Sequence, residues 1–232
     1  MIKEIQDLFE NQGGGFISSP SVIQEKLKGI KAYILDWDGV FNNGSKSENS
    51  GSGFSEPDSM GLNLLRFGYW LFNNNQFPFI SIITGEINQT AIKLAERESF
   101  HHIYFNFKNK AVAFEHFLTA FNLKPEEIAF CFDDILDIPI AKRCGLRFMI
   151  RRSGSPLFVE FVKKMQYCDY MTGQTGGQNA VREVSELILG LLSQYEPALK
   201  ERTEFSTLYT NYLENRKKTE LRQFKFSDNQ IK

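Results

Sequence analysis

Short apolar runs alternate with stretches of helical apolar spacing along most of this chain. Runs bounded by Gly, Asn or Asp predict buried strands over 31–36, 77–84, 103–105, 128–132, 146–150 and 169–171. Between them the apolar positions recur at helical intervals. Met60, Leu64, Leu65, Phe67 and Leu71 share one face of a helix over 59–72. Ile87, Ala91, Leu94 and Ala95 do so over 87–100, and Val112, Ala113, His116 and Phe117 over 109–121. Further helices are predicted over 20–28, where Ser19-Pro20 supplies the start signal, and over 139–144, 156–165 and 179–193. Strands alternating with helices imply an α/β fold, a parallel sheet with helices on both faces and right-handed crossovers.

The run at 31–36 ends in Asp36-Trp37-Asp38-Gly39. Side chains alternate along a strand, so both carboxylates can point one way as the chain leaves the sheet. In such sheets ligands bind beyond the carboxyl ends of the strands. Three more strand ends carry polar groups: Thr84-Gly85, Lys110 at the start of a helix, and Asp133-Asp134 with Asp137 close behind. Taken singly each has a plain reading: a turn, a strand-end cap, a surface lysine, a helix cap. Together they are the set that phosphoryl transfer needs. In that reading Asp36 is the nucleophile, Asp38 the acid/base, and Thr84 and Lys110 hold the phosphoryl oxygens. Mg²⁺ would sit on Asp36, Asp133 and the Asp38 carbonyl, with Asp134 or Asp137 acting around it or through water.

Segment 41–56 is rich in Asn, Ser and Gly, and Asn43-Gly44 favours a hairpin turn. It fits a flap beside the site and a surface loop equally well. Gly13-Gly14-Gly15 lacks the Lys-Ser/Thr of a phosphate loop and reads as a flexible joint. His101-His102 read as strand-flanking residues and His116 as a satisfied histidine. Arg151-Arg152 follow a strand, where they meet an anion or solvent.

Of 232 residues, 22 are Phe, most within the apolar runs, which makes them core. The formal net charge of −1 gives no steering toward nucleic acid or an anionic membrane. Three sparse cysteines, Cys131, Cys144 and Cys168, argue against disulfides and zinc. No apolar run spans a bilayer, and the first ten residues lack signal-peptide form, so a cytoplasmic location is expected. The chain divides into a peripheral segment at 1–29, a core domain at 30–193 and an extension at 194–232. The extension reads as helical, with a stripe of Leu199, Phe205, Leu208, Tyr212 and Leu213 and a frayed basic end.

Asp36-Trp37-Asp38-Gly39-Val40, Ile82-Ile83-Thr84-Gly85, Lys110, Asp133-Asp134-x-x-Asp137 and Gly176-Gly177-x-x-Ala180-Val181-Arg182-Glu183 resemble the haloacid dehalogenase (HAD) superfamily of aspartate-nucleophile phosphatases. Within it they resemble the small, capless group typified by 3-deoxy-D-manno-octulosonate 8-phosphate phosphatase, over residues 30–192. The resemblance implies a Rossmann-like fold with a flap hairpin and no large cap domain. It also implies Mg²⁺, tetramers in which a neighbouring subunit closes the site, and substrate contacts from Gly85 and Asp58. A phosphorylated sugar or sugar acid is the expected substrate, with a nonulosonate 9-phosphate or another sugar phosphate as alternatives. A catalytically silent binding protein of the same fold is the rival reading; a receiver domain is shorter and lacks the Asp-x-Asp-Gly context. Several positions depart from the group: Glu86 where Arg is usual, Phe132 for Gly, Leu136 for Asn, Ser59 for Gly and Asn179 for Gly.

Overall fold

The computed structural model describes residues 2–46, 52–228 and 230–232. Its centre is the parallel set β2 (Ala32–Leu35), β3 (Phe79–Ile83), β4 (His102–Phe105), β5 (Ile128–Phe132), β6 (Leu146–Arg151) and β7 (Tyr170–Thr175). The strands at the two edges are β1 (Gly15–Phe16) on one side and β8 (Arg222–Ser227) with β9 (Gln230–Ile231) on the other. The spatial order is β1-β7-β6-β5-β2-β3-β4-β8-β9, so β2 lies centrally, flanked by β5 and β3. Its register sets Leu35 beside both Ile82 and Cys131. Asp36 therefore leaves the sheet level with the ends of both neighbours.

Alternation along β2 divides the core. Tyr33 and Leu35 face one layer, built largely from α3 (Glu56–Phe72) and α8 (Ala180–Leu191). Ala32 and Ile34 face the other, where Phe114 and Phe117 of α5 (Lys110–Phe121) meet Phe130 and Phe132. The Phe residues of the apolar runs are thus mostly core. Helix α3 begins earlier than its apolar spacing suggests, because the Ser55 hydroxyl caps it by accepting from Asp58 N at 3.2 Å. The crossover after β3 starts at α4 (Gln89–Arg97), capped by the Asn88 side chain. No helix among the described residues is long and apolar enough to cross a membrane.

Both termini correct the sequence reading. The triple glycine is a built turn between α1 (Ile2–Asn11) and β1, which pairs antiparallel with β7. Gly13 has φ +90°, and a Cβ on Gly14 would stand 1.9 Å from the Tyr170 hydroxyl. Two helices, α9 (Tyr195–Thr203) and α10 (Thr207–Arg216), follow α8, and Tyr212 is buried against Phe67, Trp70 and Phe77. The basic end beyond them is not frayed: 222–227 is β8, parallel to β4 from His102↔Arg222 to Phe105↔Lys225. No strand forms among the described residues of 41–56, and 47–51 of the expected flap hairpin lie outside the described residues.

Candidate active site

Four strand ends meet at one edge of the sheet. Asp36 follows β2, Thr84 follows β3, and Asp133 follows β5. After Asp133 a short 3₁₀ turn over Ile135–Asp137 brings Asp137 back toward the sheet. The result is a buried group in which carboxylate oxygens of Asp36, Asp133 and Asp137 lie within 4.8 Å of one another. Sequence reading put Asp137 at a distance from the ion; the 3₁₀ turn puts it in the group itself.

Lys110, the first residue of α5, reaches into this group. Its Nζ is 2.6 Å from Asp36 Oδ1 and 2.7 Å from Asp137 Oδ1. Burial alone would discharge the ammonium, yet Asp36 and Asp137 outweigh it and hold the pKa above the ordinary lysine value. On the far side, Arg152 lies just past β6, and its Nη1 is 2.6 Å from Asp133 Oδ2 and 3.4 Å from Asp134 Oδ2. Asp134 also caps the 3₁₀ turn, accepting from Ile135 N at 2.8 Å. Even with these cations, burial first and Asp36 second push Asp133 and Asp137 well above the usual carboxylate range. Asp133 Oδ1 and Asp137 Oδ2 are buried and accept no hydrogen bond. Two unanswered oxygens in a cluster of three carboxylates fit a hard divalent cation.

Backbone geometry keeps the group compact. Gly39 has φ +90°, and a Cβ there would stand 2.0 Å from Asp133 Oδ2, so no side chain fits. Asp38 is turned away from the cluster. Its Oδ1 accepts a hydrogen bond from Ser52 Oγ, and its Oδ2 is 3.2 Å from Lys46 Nζ. Thr84 is buried, its Oγ1 facing Glu86 N at 3.4 Å. Gly85 lines the cleft over the cluster, a space of about 290 Å³ that Leu136, Lys108 and Glu86 also border. Glu86 and Lys108 form an ion pair across that mouth. A second cavity of about 440 Å³, lined by Asn43, Ser153, Ser155 and Thr175, adjoins the first and shares Asp134 and Arg152 with it.

Asp58 is not brought to the cleft. It is buried at the start of α3, accepting from Ser55 Oγ at 2.6 Å and from Arg182 N at 3.0 Å, and so ties α3 to α8. Burial raises its pKa. His101 and His102 flank the start of β4, and His116 Nδ1 is 2.7 Å from the Tyr104 hydroxyl. Sequence reasoning did not single out Ser52, Lys46 or Lys108. Arg152 carried a signal, since it follows a strand as Asp36 and Asp133 do.

No family model matches this chain. The 3-deoxy-D-manno-octulosonate 8-phosphate phosphatase KdsC of Salmonella typhimurium is 30% identical over 175 residues, covering 74% of this chain and 85% of that protein. A Legionella pneumophila structure, provisionally assigned as a HAD superfamily (subfamily III A) hydrolase, superposes with TM-score 0.66 at 29% identity, over 79% of this chain and 95% of that one. The 3-deoxy-D-manno-octulosonate 8-phosphate phosphatase of Moraxella catarrhalis, solved with magnesium, phosphate and the sugar acid, superposes with TM-score 0.63 at 25% identity, over 77% and 96%.

Proposed function

The chain belongs to the 3-deoxy-D-manno-octulosonate 8-phosphate phosphatase family of the HAD superfamily, and we propose that it is a Mg²⁺-dependent phosphomonoesterase acting on a small phosphorylated sugar or sugar acid. The observation that carries this reading is the buried trio Asp36, Asp133 and Asp137 with Lys110 between two of its members. Asp36 is the nucleophile. Its neighbour Lys110, 2.6 Å from Asp36 Oδ1, offers a cation to the phosphoryl oxygens. Asp38, turned from the cluster toward the cleft and 22% exposed, is the acid that protonates the leaving oxygen and the base that then activates water. Gly85 borders the phosphoryl pocket, and Thr84 is buried behind it. Asp36, Asp133 and Asp137 are the residues that would hold Mg²⁺, which when bound would neutralise phosphoryl charge.

The leaving group has room on the Arg152 side. There the 440 Å³ cavity offers hydroxyls of Ser153, Ser155 and Thr175 to a polyhydroxylated partner, and the Arg152 guanidinium to an acidic one. A 3-deoxy-D-manno-octulosonate 8-phosphate-like ester suits this lining, and a nonulosonate 9-phosphate suits it as well. The enzyme is read as a cytoplasmic homo-oligomer, a tetramer by its family. Ile135 and Leu136, exposed at 65% and 58% beside the cleft, suit cover by a neighbouring subunit.

Inorganic phosphate release from a panel of sugar and keto-sugar-acid phosphates, with and without Mg²⁺, tests the reading. Metal-dependent release that Asp36→Asn abolishes is expected. No release from any ester by folded, Mg²⁺-loaded protein would overturn it in favour of a silent binding protein.

A further inference from the structure

Ser52 is a buried serine, 2% exposed, at the end of the Asn/Ser/Gly segment. Among the described residues three polar atoms surround its hydroxyl. Trp37 Nε1 lies at 3.0 Å and Asn88 Nδ2 at 2.6 Å, and Asp38 Oδ1 is the third. Indole nitrogen is a donor only. The Asn88 amide is oriented by its cap: Asn88 Oδ1 accepts from Thr90 N at 3.0 Å and Ala91 N at 3.4 Å, so Nδ2 is the atom turned to Ser52. Two donors therefore fill both lone pairs of the Ser52 oxygen. Its single proton goes to Asp38 Oδ1, the acceptor among the described residues.

We propose that Ser52 is the positioning residue of the acid/base carboxylate, fixing Asp38 Oδ1 so that Oδ2 alone exchanges protons with the ester and with water. The proposal rests on the reading of Asp38 given above. In the first half-reaction an Asp36 oxygen bonds to phosphorus and the bond from phosphorus to the leaving oxygen breaks. The proton on Asp38 Oδ2 passes to that oxygen, and the alcohol departs. In the second, a water oxygen bonds to phosphorus, its proton passes to Asp38 Oδ2, and the bond from phosphorus to Asp36 breaks to release phosphate. Lys46, 49% exposed, has its Nζ 3.2 Å from Oδ2 and marks that oxygen as the open one. The anchor of Ser52 is rigid: Trp37 is fully buried and stacks on Phe41, and Asn88 is fixed at the start of α4. The same hydroxyl thus joins the segment after Gly51 to the strand-end loops after β2 and β3.

An acid matters most when the leaving group needs a proton. Hydrolysis of aryl phosphates from phenyl to p-nitrophenyl phosphate, read as kcat/KM, separates this role from general damage. Ser52→Ala is expected to lower kcat/KM for phenyl phosphate by about 10- to 100-fold, part of the ~10²–10⁴ that a general acid supplies. The same variant should leave p-nitrophenyl phosphate within about 3-fold by the same reasoning. Ser52→Thr, which keeps the hydroxyl, should restore the phenyl ester. Asp38→Asn should show the same selectivity more strongly. If Asp38→Asn is selective and Ser52→Ala lowers both esters alike, the Ser52 proposal falls and the acid assignment stands. If Asp38→Asn is itself unselective, or the wild type hydrolyses no ester, the underlying reading falls. Melting temperatures of the variants identify any loss that comes from unfolding.

Discussion

Replacing Asp133 by Asn should make the metal-free protein more stable at alkaline pH. Carboxylate oxygens of Asp36, Asp133 and Asp137 stand within 4.8 Å of one another. At an effective permittivity of ~20, two unit charges at that separation repel by about 3.5 kcal/mol. Burial adds to this, and in the folded, metal-free chain Asp133 is pushed up to about 8 and Asp137 to about 7, from an ordinary 3.8. The sign follows from proton binding. Between the unfolded and folded values the native state holds more protons than the unfolded chain. The contribution is therefore fully present below the unfolded value and is lost as pH rises through 7 and 8. Asn at 133 carries no charge, and it also removes one repulsive neighbour of Asp137. Arg152 loses its nearer partner but keeps Asp134, and its side chain is 35% exposed and hydrates readily.

A relief of about 3 kcal/mol corresponds to roughly 6–12 °C in melting temperature for a chain of this size. Melting curves in EDTA from about pH 5.5 to about pH 8.5 should therefore diverge, the wild type falling more steeply than Asp133→Asn. Mg²⁺ should raise the wild type most at the alkaline end, where the ion displaces fewest protons, and should raise the variant little. Parallel curves, or a variant less stable than wild type at the alkaline end, would refute the view that the cluster is held together against its own charge.

Two other perturbations test the frame around the cluster. Gly39→Ala combines a positive φ with a Cβ 2.0 Å from Asp133 Oδ2, so it should abolish the Mg²⁺-induced thermal shift while far-ultraviolet circular dichroism stays native. Truncation after Thr219 removes β8 and β9 and bares the β4 edge, and light scattering after gel filtration should detect larger species than the full chain forms.

The central strands were legible because each is a bounded apolar run, and the site was legible because polar residues of the right types close four of them. What escaped depended on neighbours far away in sequence. Residues 222–227 alternate Phe224 and Phe226 with Gln223 and Lys225, a strand pattern diluted by charge. It becomes a strand because β4 presents an open edge, and its two Phe rings pack on Tyr104 and Phe107. Asp134 and Asp137 both follow Asp133 closely, and only the 3₁₀ turn over Ile135–Asp137 decides that Asp137 is the one brought inward. Ser52 sits in a segment whose composition says loop. Its meaning lies in Trp37 and Asn88, which belong to two other elements.

Glu86 stands where the resemblance leads one to expect arginine, and the structure shows how that reversal is absorbed. The carboxylate is answered by Lys108 from the loop after β4, whose hydrogen bond lowers its pKa, so the mouth keeps a cation that comes from the next strand over. The remaining charges bear on the metal. Among the described residues six carboxylates line the cleft, Asp36, Asp38, Glu86, Asp133, Asp134 and Asp137, against four cations, Lys46, Lys108, Lys110 and Arg152. A formal excess of two negative charges opposes a phosphate ester, which is itself anionic. Protonation of Asp133 and Asp137 relieves the excess but leaves those oxygens protonated and unable to hold an ion. One divalent cation cancels it with both carboxylates ionised. The raised pKa values, the two unanswered oxygens and the excess charge of the cleft thus all fit the proposed doubly charged cation among Asp36, Asp133 and Asp137.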